Sequence, residues 1–382
     1  METWSAHQLF NKATDKLDNA ASKKLRSYAL ALKNRKLPVI FTLRHLSHIT
    51  DVDYSLLRKT VMRRREMANY RMFPVRKHSG GWRYIHQVSR DLFKVQQFIN
   101  SEILQKLSPH PSSFAFHSNG GIKACASQHC NARWLFQYDL KDFFYFINEK
   151  NIYTLFKDSG YRSLLAFELA RLCTTTHLPN HLLHYIKQDS HFFNNYNFYN
   201  DIKSRIGVLP QGAPTSPMLS NLVAYKLDEL LTKLSEEYGL VYTRYADDIT
   251  FSSIDDYSVQ HSRFRLHREI VKIIRQNGFC ENTKKTRISG PGARKLVLGL
   301  LVDGCEPRLS KEMYKRIERL LYASNKYGII EVAKNEKFDT PYGLYNHLAG
   351  LVSFVNDVDK NRWQEFNDLF SKINNPFDLK TI

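Results

Sequence analysis

The sequence predicts an α+β fold. Three observations carry this. Strand-like and helix-like stretches intermix without a regular βαβ alternation, two segments read as β-hairpins, and several others combine helical periodicity with capping residues. The chain has 382 residues, 43% apolar and 13% aromatic, enough for a substantial core and two or three subdomains. No internal repeat is visible.

Residues 1–36 read as a basic, separable helical extension that stops before Pro38. "TDVDYSLLRKTVMRRREMAN" (50–69) reads as a helix capped by Thr50 or Asp51. "MFPVRKHSGGWRYIHQV" (72–88) sets β-rich arms around an "HSGG" turn, a hairpin. "SRDLFKVQQFINSEILQKL" (89–107) is amphipathic, with apolar positions 92, 95, 98–99 and 103–104 and Ser89 as cap. "RWLFQYDLKDFFYF" (133–146) is a strand that leads into a turn, and "NIYTLFKDSGYRSLLAFELARLCTT" (151–175) is helical. "LPQGAPTSPMLSNLVAYKLDELLTKLSEEYG" (209–239) is a Gly/Pro-punctuated loop followed by one long helix. "LVYTRYADDITFSS" (240–253) is two β-rich arms around an acid pair. A helix over 258–277 follows, then strands in "TRISG" (286–290) and "KLVLGLLVD" (295–303), then a helical, basic C-terminal region. The expected division is 1–36, a core over 37–302, and a helical unit over 303–382.

Charge narrows the function. Lys and Arg number 56 against 37 Asp and Glu, a net charge of +19. The cations cluster in "RKTVMRRRE" (58–66), "RMFPVRKHSGGWRY" (71–84), "TKKTR" (283–287) and "SKEMYKRIERLLYASNKYG" (310–328). Tyr70, Phe73, Trp82, Tyr84, Tyr314, Tyr322 and Tyr327 interleave with them. Phosphate neutralisation with base stacking is what nucleic-acid binding needs. No run of about 18 apolar residues predicts a membrane span, and the N-terminus lacks the apolar core of a secretion signal. Five scattered cysteines, at 125, 130, 173, 280 and 305, suit a reducing cytoplasm. His117, Cys125, His129 and Cys130 are too loosely spaced for a structural zinc site and read as ordinary structural residues.

Asp247 and Asp248 stand side by side between apolar arms of a strongly basic chain. A buried carboxylate pair is costly unless a cation accompanies it. Beside nucleic acid, the natural cation is Mg²⁺, with its preference for hard oxygen ligands. Two-metal phosphoryl transfer needs carboxylates from separate elements around ions about 4 Å apart. Asp139 ends an apolar strand 108 residues before Asp247, and only adjacent strands of one sheet could bring the two together. Asp142 is the weaker third acid and also fits a helix start.

On these residues the chain resembles reverse transcriptases. "YADD" is similar to the family's Y-x-D-D box, and "DLKDFF", "LPQGAPTSPMLSNL", "GFCENTKKTRI" and "LVLGLLVD" follow its order over roughly residues 37–355. "RYADDITFS", "QGAPTSP", "ISGPGARK", "HLAGLVSFVNDVD" and the A-x-x-H stretch Ala126-Ser127-Gln128-His129 resemble bacterial retron reverse transcriptases. Cys125 stands where that pattern usually has Asn, and Val297-Leu298-Gly299 where it has V-T-G, positions associated with recognition of the cognate RNA.

The resemblance implies a right-hand polymerase fold: fingers, a palm with an antiparallel sheet, a helical thumb, and the N-terminal helical extension. It implies that Asp139, Asp247 and Asp248 hold two Mg²⁺ ions and that Tyr245 lies near the primer end. Phe144 would face the incoming sugar and reject a 2′-hydroxyl by bulk, with Phe143 the alternative gate. Arg83, with Arg76 or Lys77, would clamp the triphosphate. Gln211 and Gly212 would lie under the nascent base pair, and Lys285 would neutralise phosphate. Lys311, Lys315, Arg316 and Arg319 would grip the template–primer duplex by its backbone. The implied activity is RNA-directed DNA synthesis from dNTPs. A structured noncoding RNA would be primed from a guanosine 2′-hydroxyl and partly copied into attached single-stranded DNA (msDNA). The implied role is antiphage defence with a separately encoded effector. The 25 residues after "LVSFVND" are too few for an RNase H-like domain, so RNA removal is expected from other proteins. The rival readings are an abortive-infection or group II intron-like enzyme, and a catalytically silent nucleic-acid-binding subunit.

Overall fold

The computed structural model describes residues 5–77, 80–189, 205–255 and 257–376, with the helical backbone alone over 257–262. Ten strands occur among them. They are β1 (Tyr70–Arg76), β2 (Trp82–Val88), β3 (Trp134–Asp139), β4 (Lys187–Gln188) and β5 (Arg205–Ile206), then β6 (Val241–Tyr245), β7 (Asp248–Ser253), β8 (Arg287–Ser289), β9 (Leu296–Val297) and β10 (Leu300–Leu301). The central sheet has the order β6-β7-β3-β8, with every pairing antiparallel. β1 and β2 form a separate hairpin over seven paired positions, as the sequence predicts. His78 and Ser79 of its turn lie outside the described residues.

Alternation in β3 gives the central sheet two different faces. Trp134, Phe136 and Tyr138 enter the main core with Ile249 and Phe251 of β7. That core also takes Leu32 from the Asn19–Asn34 helix, and Leu92, Val95 and Ile99 from the Arg90–Glu102 helix. On the opposite face Leu135 packs with Val297, Leu300 and the C-terminal helices. Those helices are Lys311–Tyr327, Ile329–Asn335, Pro341–Val358 and Lys360–Ser371. Gln137 and Asp139 lie further along this second face and line a groove. Among the described residues no helix is long and apolar enough to cross a membrane.

Several boundaries differ from the expected ones, each for a local reason. Thr50 closes the Leu43–Thr50 helix and Asp51 turns left-handed after it, at φ 51°. The next helix, Tyr54–Val61, is capped by Asp53, which accepts from the Leu56 N–H at 2.9 Å. Ser89 holds the cap position of its helix but makes no side-chain capping bond. The stretch 151–175 divides into helices Glu149–Asp158 and Ser163–Leu172, with Gly160 at φ 108° between them. The long helix expected after 215 is two, Ser216–Val223 and Tyr225–Glu237, meeting at Ala224. "KLVLGLLVD" is a hairpin, not one strand: β9 pairs with β10 across Leu298 and Gly299, at φ 50° and 85°. Two positive φ angles are what a tight two-residue hairpin turn needs. A leucine in the first position hides the turn inside an apolar run.

A buried ionic hub joins the segments around this core. Glu149 is fully buried and accepts from Arg171 Nε at 2.5 Å, Arg63 Nη2 at 2.7 Å and the Gly207 N–H at 3.1 Å. Arg63 also reaches Glu66 at 3.1 Å and the Thr174 hydroxyl at 2.6 Å. Four sequence-distant segments thus share one carboxylate. Removing it takes the carboxylate from the fully buried Arg171 guanidinium and leaves the buried Arg63 with Glu66 as its acid. Glu149→Ala is expected to cost roughly 3–5 kcal/mol in denaturant unfolding, whereas the exposed-pair control Lys233→Ala, opposite Glu229, should change stability by less than about 1 kcal/mol.

Candidate active site

The β3–β7 register sets Asp139 directly across from Asp248. Tyr245 pairs with Asp248 in the β6–β7 hairpin, which leaves Ala246 and Asp247 as its two-residue turn. The Leu140 N–H donates to the Asp247 carbonyl at 2.9 Å, stitching that turn to the end of β3. Sheet register therefore brings together acids that are 108 positions apart. Asp139 is buried, Asp247 half-buried, and Asp248 opens to the groove.

Like charges at this spacing disfavour ionisation. Burial first, and then the charge of Asp139, push the Asp247 carboxyl up. Burial, then the charges of Asp247 and Asp139, push Asp248 up to about 6. Lys285 and Arg83 act in the opposite direction on Asp247. Lys285 Nζ lies 2.6 Å from Asp139 Oδ2, and Asn282 Nδ2 donates to Oδ1 at 2.9 Å. The Asn282 N–H also donates to the Asp139 carbonyl at 2.7 Å. Lys285, Lys284, Arg287 and Gln137 join Asp139 and Asp248 around a cavity of about 390 Å³.

Among the described residues no three acidic, histidine or cysteine side chains stand ready-gathered around one point. Asp139 is turned instead to Lys285 and Asn282. The donor set still fits a hard divalent cation: it is all carboxylate oxygen, drawn from two strands and an adjoining turn, and burial followed by mutual repulsion raises two of the three acids. A bound cation would relieve that repulsion.

The turn has a support that sequence reasoning missed. Arg244 is fully buried beneath it and pairs with Asp228, Nε to Oδ1 at 2.7 Å and Nη2 to Oδ2 at 2.6 Å. Tyr242 donates its hydroxyl to the same Oδ1 at 2.7 Å. Arg244 Nη1 donates to the Ala246 carbonyl and the Asn221 side-chain oxygen, each at 3.0 Å. Ala246 sits at φ 56°, a left-handed conformation that costs an alanine roughly 1–2 kcal/mol. Alternation offered the clue, because Arg244 falls on the inward side shared with Tyr242. Its partner Asp228 and the capping amide Asn282 carry no comparable signal.

The remaining candidates fall at several distances from the acids. Phe143 is buried under the Arg244 guanidinium, 5.8 Å from its ring centre, and Phe144 is only half-buried. In the β1–β2 ladder Arg83 pairs with Val75 and Arg76 with Trp82, so the two arginines take opposite faces. Arg83 is the one whose charge is felt at Asp247. Lys77 closes the ladder through its N–H to the Gly81 carbonyl, 3.0 Å. Gln211 accepts from the His86 N–H at 2.7 Å, and a Cβ on Gly212, at φ 103°, would meet the His86 carbonyl at 2.8 Å. The close approach that Gly212 permits in this structure is therefore to the hairpin backbone. Lys311, Lys315, Arg316 and Arg319 are exposed on a helix whose other side buries Ile317, Leu320 and Leu321. Arg319 pairs with Glu336 at 2.7 Å, and the charge of Arg316 reaches His347.

Cys125 and His129, singled out by pattern, are buried against the palm sheet. His129 spans the β6–β7 hairpin, Nε2 to the Thr243 hydroxyl and Nδ1 to the Ser252 hydroxyl, each at 2.7 Å. Cys125 Sγ donates to Thr243 at 3.3 Å. His117 bonds the Ser113 carbonyl instead, at 2.7 Å.

Two pH effects follow. Burial lowers the His129 pKa to about 4, so the folded state binds fewer protons than the unfolded state between about 4 and 6.5. The stability this supplies is present above 6.5 and is lost as pH falls to 4, so His129→Gln should flatten the melting-temperature profile across that window. Asp248 has the opposite sign. Its raised pKa makes its ionisation, half-complete near pH 6, destabilising. Metal-free Asp248→Asn should melt above wild type at pH 8 and lose that advantage near pH 4, although exposure limits its size.

A family model described as "Reverse transcriptase (RNA-dependent DNA polymerase)" matches residues 75–301. The chain is similar to the Retron Ec86 reverse transcriptase of Escherichia coli, 29% identical over 344 residues that cover 90% of this chain and 92% of that one. It is also similar to the Retron Mx65 reverse transcriptase of Myxococcus xanthus, 31% identical over 357 residues, 93% of this chain and 77% of that one. Among solved structures, a Candida albicans telomerase in complex with a fragment of telomeric RNA is a distant likeness. Its TM-score is 0.39 at 9% identity, over 82% of this chain and 66% of that one. A match over more than half of the chain, and curated relatives aligned along most of it, make the chain a member of the reverse transcriptase family and, within it, of the retron reverse transcriptases.

Proposed function

We propose that this RNA-directed DNA polymerase works by two-metal nucleotidyl transfer, and that it copies part of a structured noncoding RNA into msDNA. The observation that carries the first statement is the register of Asp139 against Asp248 with Asp247 in the adjoining turn. The three carboxylates would hold two Mg²⁺ ions, which when bound lower the pKa of the attacking hydroxyl and neutralise the triphosphate. Lys285 neutralises phosphate once Asp139 turns to its cation. Arg83 supplies the bidentate fork suited to phosphate oxygens, from the hairpin face turned to Asp247. Arg76, on the other face, is left to the nucleic acid backbone or to solvent. Phe144 stands against the incoming sugar while Phe143 stays in the core. Tyr245 shares the face of Asp248 at the primer end, and Lys311 and Lys315 contact the duplex backbone.

Membership among the retron reverse transcriptases is the basis on which we further propose priming from a guanosine 2′-hydroxyl and a role in antiphage defence with a separate effector. Expression with the flanking DNA should yield a short single-stranded DNA joined to RNA, which shifts in mobility after RNase treatment. Failure to find any RNA-linked DNA would remove the priming reading. Catalysis is tested separately by primer extension on an RNA template with Mg²⁺. Asp139→Asn, Asp247→Asn and Asp248→Asn should each reduce extension by about a hundredfold or more, equivalent to about 3 kcal/mol of barrier. Folded variants that extend as well as wild type would overturn the metal assignment.

A further inference from the structure

Asp142 has an unusual setting. It is a non-glycine residue at φ 46°, ψ 40°, at the head of the four-residue helix Phe143–Phe146. Its carbonyl accepts from the Tyr145 N–H at 2.8 Å and the Phe146 N–H at 3.3 Å. Its carboxylate, at the position where an acid ordinarily caps a helix, makes no bond to the helix amides. It accepts instead from the Tyr185 hydroxyl, Oδ2 at 2.9 Å, across 43 residues of sequence. The Tyr185 ring lies 5.9 Å from that of Tyr145 and 5.1 Å from that of Phe146, so it flanks the short helix as well as anchoring its first residue. Burial, and then the charge of Asp142, push the Tyr185 phenol up, which keeps it a donor. A left-handed non-glycine residue persists only where its surroundings over-determine it.

We infer that Tyr185 and Asp142 form a clasp that fixes the Phe144 ring, and so makes Tyr185 a positioning residue for selection of the incoming sugar. The inference rests on the Phe144 gate given above. An apolar side chain excludes an added hydroxyl only by clashing with it. The clash discriminates only if the ring cannot retreat. A helix of one turn has little rigidity of its own, so the anchor on its first residue denies Phe144 that retreat.

The test compares kcat/KM for dGTP and GTP opposite cytosine in an RNA template, using the full chain. Phe144→Val examines the gate. Tyr185→Phe and Asp142→Ala remove the clasp from either side, and Asp142→Asn keeps an acceptor for the tyrosine. Tyr185→Phe and Asp142→Ala should each lower the deoxy-over-ribo preference about tenfold, the weight of one hydrogen bond to a charged group. The change should come through improved GTP use, with dGTP kcat/KM held within about twofold. Asp142→Asn should keep the wild-type preference. A general loosening of the fold would depress both substrates together and would count against the clasp. If Phe144→Val loses the preference while Tyr185→Phe and Asp142→Ala retain it, the clasp is wrong and the gate stands. If Phe144→Val retains it, the gate falls and the clasp with it.

Discussion

The ion pair between Arg244 and Asp228 is the constraint on which the candidate site depends. Both side chains are fully buried, and between them they touch the β6 strand, both halves of the 216–237 helical region and the backbone of the Ala246–Asp247 turn. A buried ion pair is weak evidence for stability, since a packed apolar substitute often serves as well. Its use here is geometric. An apolar side chain could fill the space of Arg244 but could not bond the Ala246 carbonyl, and that bond accompanies the left-handed Ala246 that turns Asp247 out of the strand. The backbone also joins in: the Arg244 N–H and carbonyl pair with Ser112 and Phe114 at 2.8 and 2.9 Å.

One face of the sheet is thus satisfied in full, and the other is kept under repulsion. Below the sheet, Arg244 meets its carboxylate bidentately. Above it, three acids share the attention of Lys285 and Arg83. The strain is of the kind that functional sites retain, at some expense to stability elsewhere. Lys285 is suited to this position because its flexible chain can hold Asp139 and then yield it. Its half-exposed side chain is consistent with such an exchange, where a fully buried partner like Asp228 would not be.

Much of this was legible in the sequence, and the gaps have physical causes. Strand alternation and a pair of acids among apolar arms were enough to bring Asp139 and the acid-pair hairpin into one sheet. β-branched and aromatic arms marked both hairpins. Helix breaks were missed where a short interruption, Ala224 alone or the four residues around Gly160, divides an otherwise periodic run. The β9–β10 turn was missed because Leu298 occupies a position that asparagine or glycine usually signals. Arg83 with either Arg76 or Lys77 was the expected clamp, and composition does not state which of them share a face. Counting pairs from the observed turn separates Arg76 and Arg83 onto opposite faces. The A-x-x-H histidine was recognised as a pattern, but its burial across Thr243 and Ser252 depends on tertiary contacts that no local window contains.

The seating of the β1–β2 hairpin on the Gln211–Gly212 loop has a mechanical consequence. The His86 amide is bonded to Gln211, and the Gly212 backbone leaves no room for a side chain against it. The base of this arm is therefore clamped like a cantilever at its wall. Bending is left to the segment beyond Pro74 and Tyr84, a span of a few residues at about 3.3 Å each. The stroke available to Arg83 is correspondingly short, so the proposed reach of Arg83 toward a triphosphate would be governed by the stiffness of that stub more than by any swing of the whole subdomain.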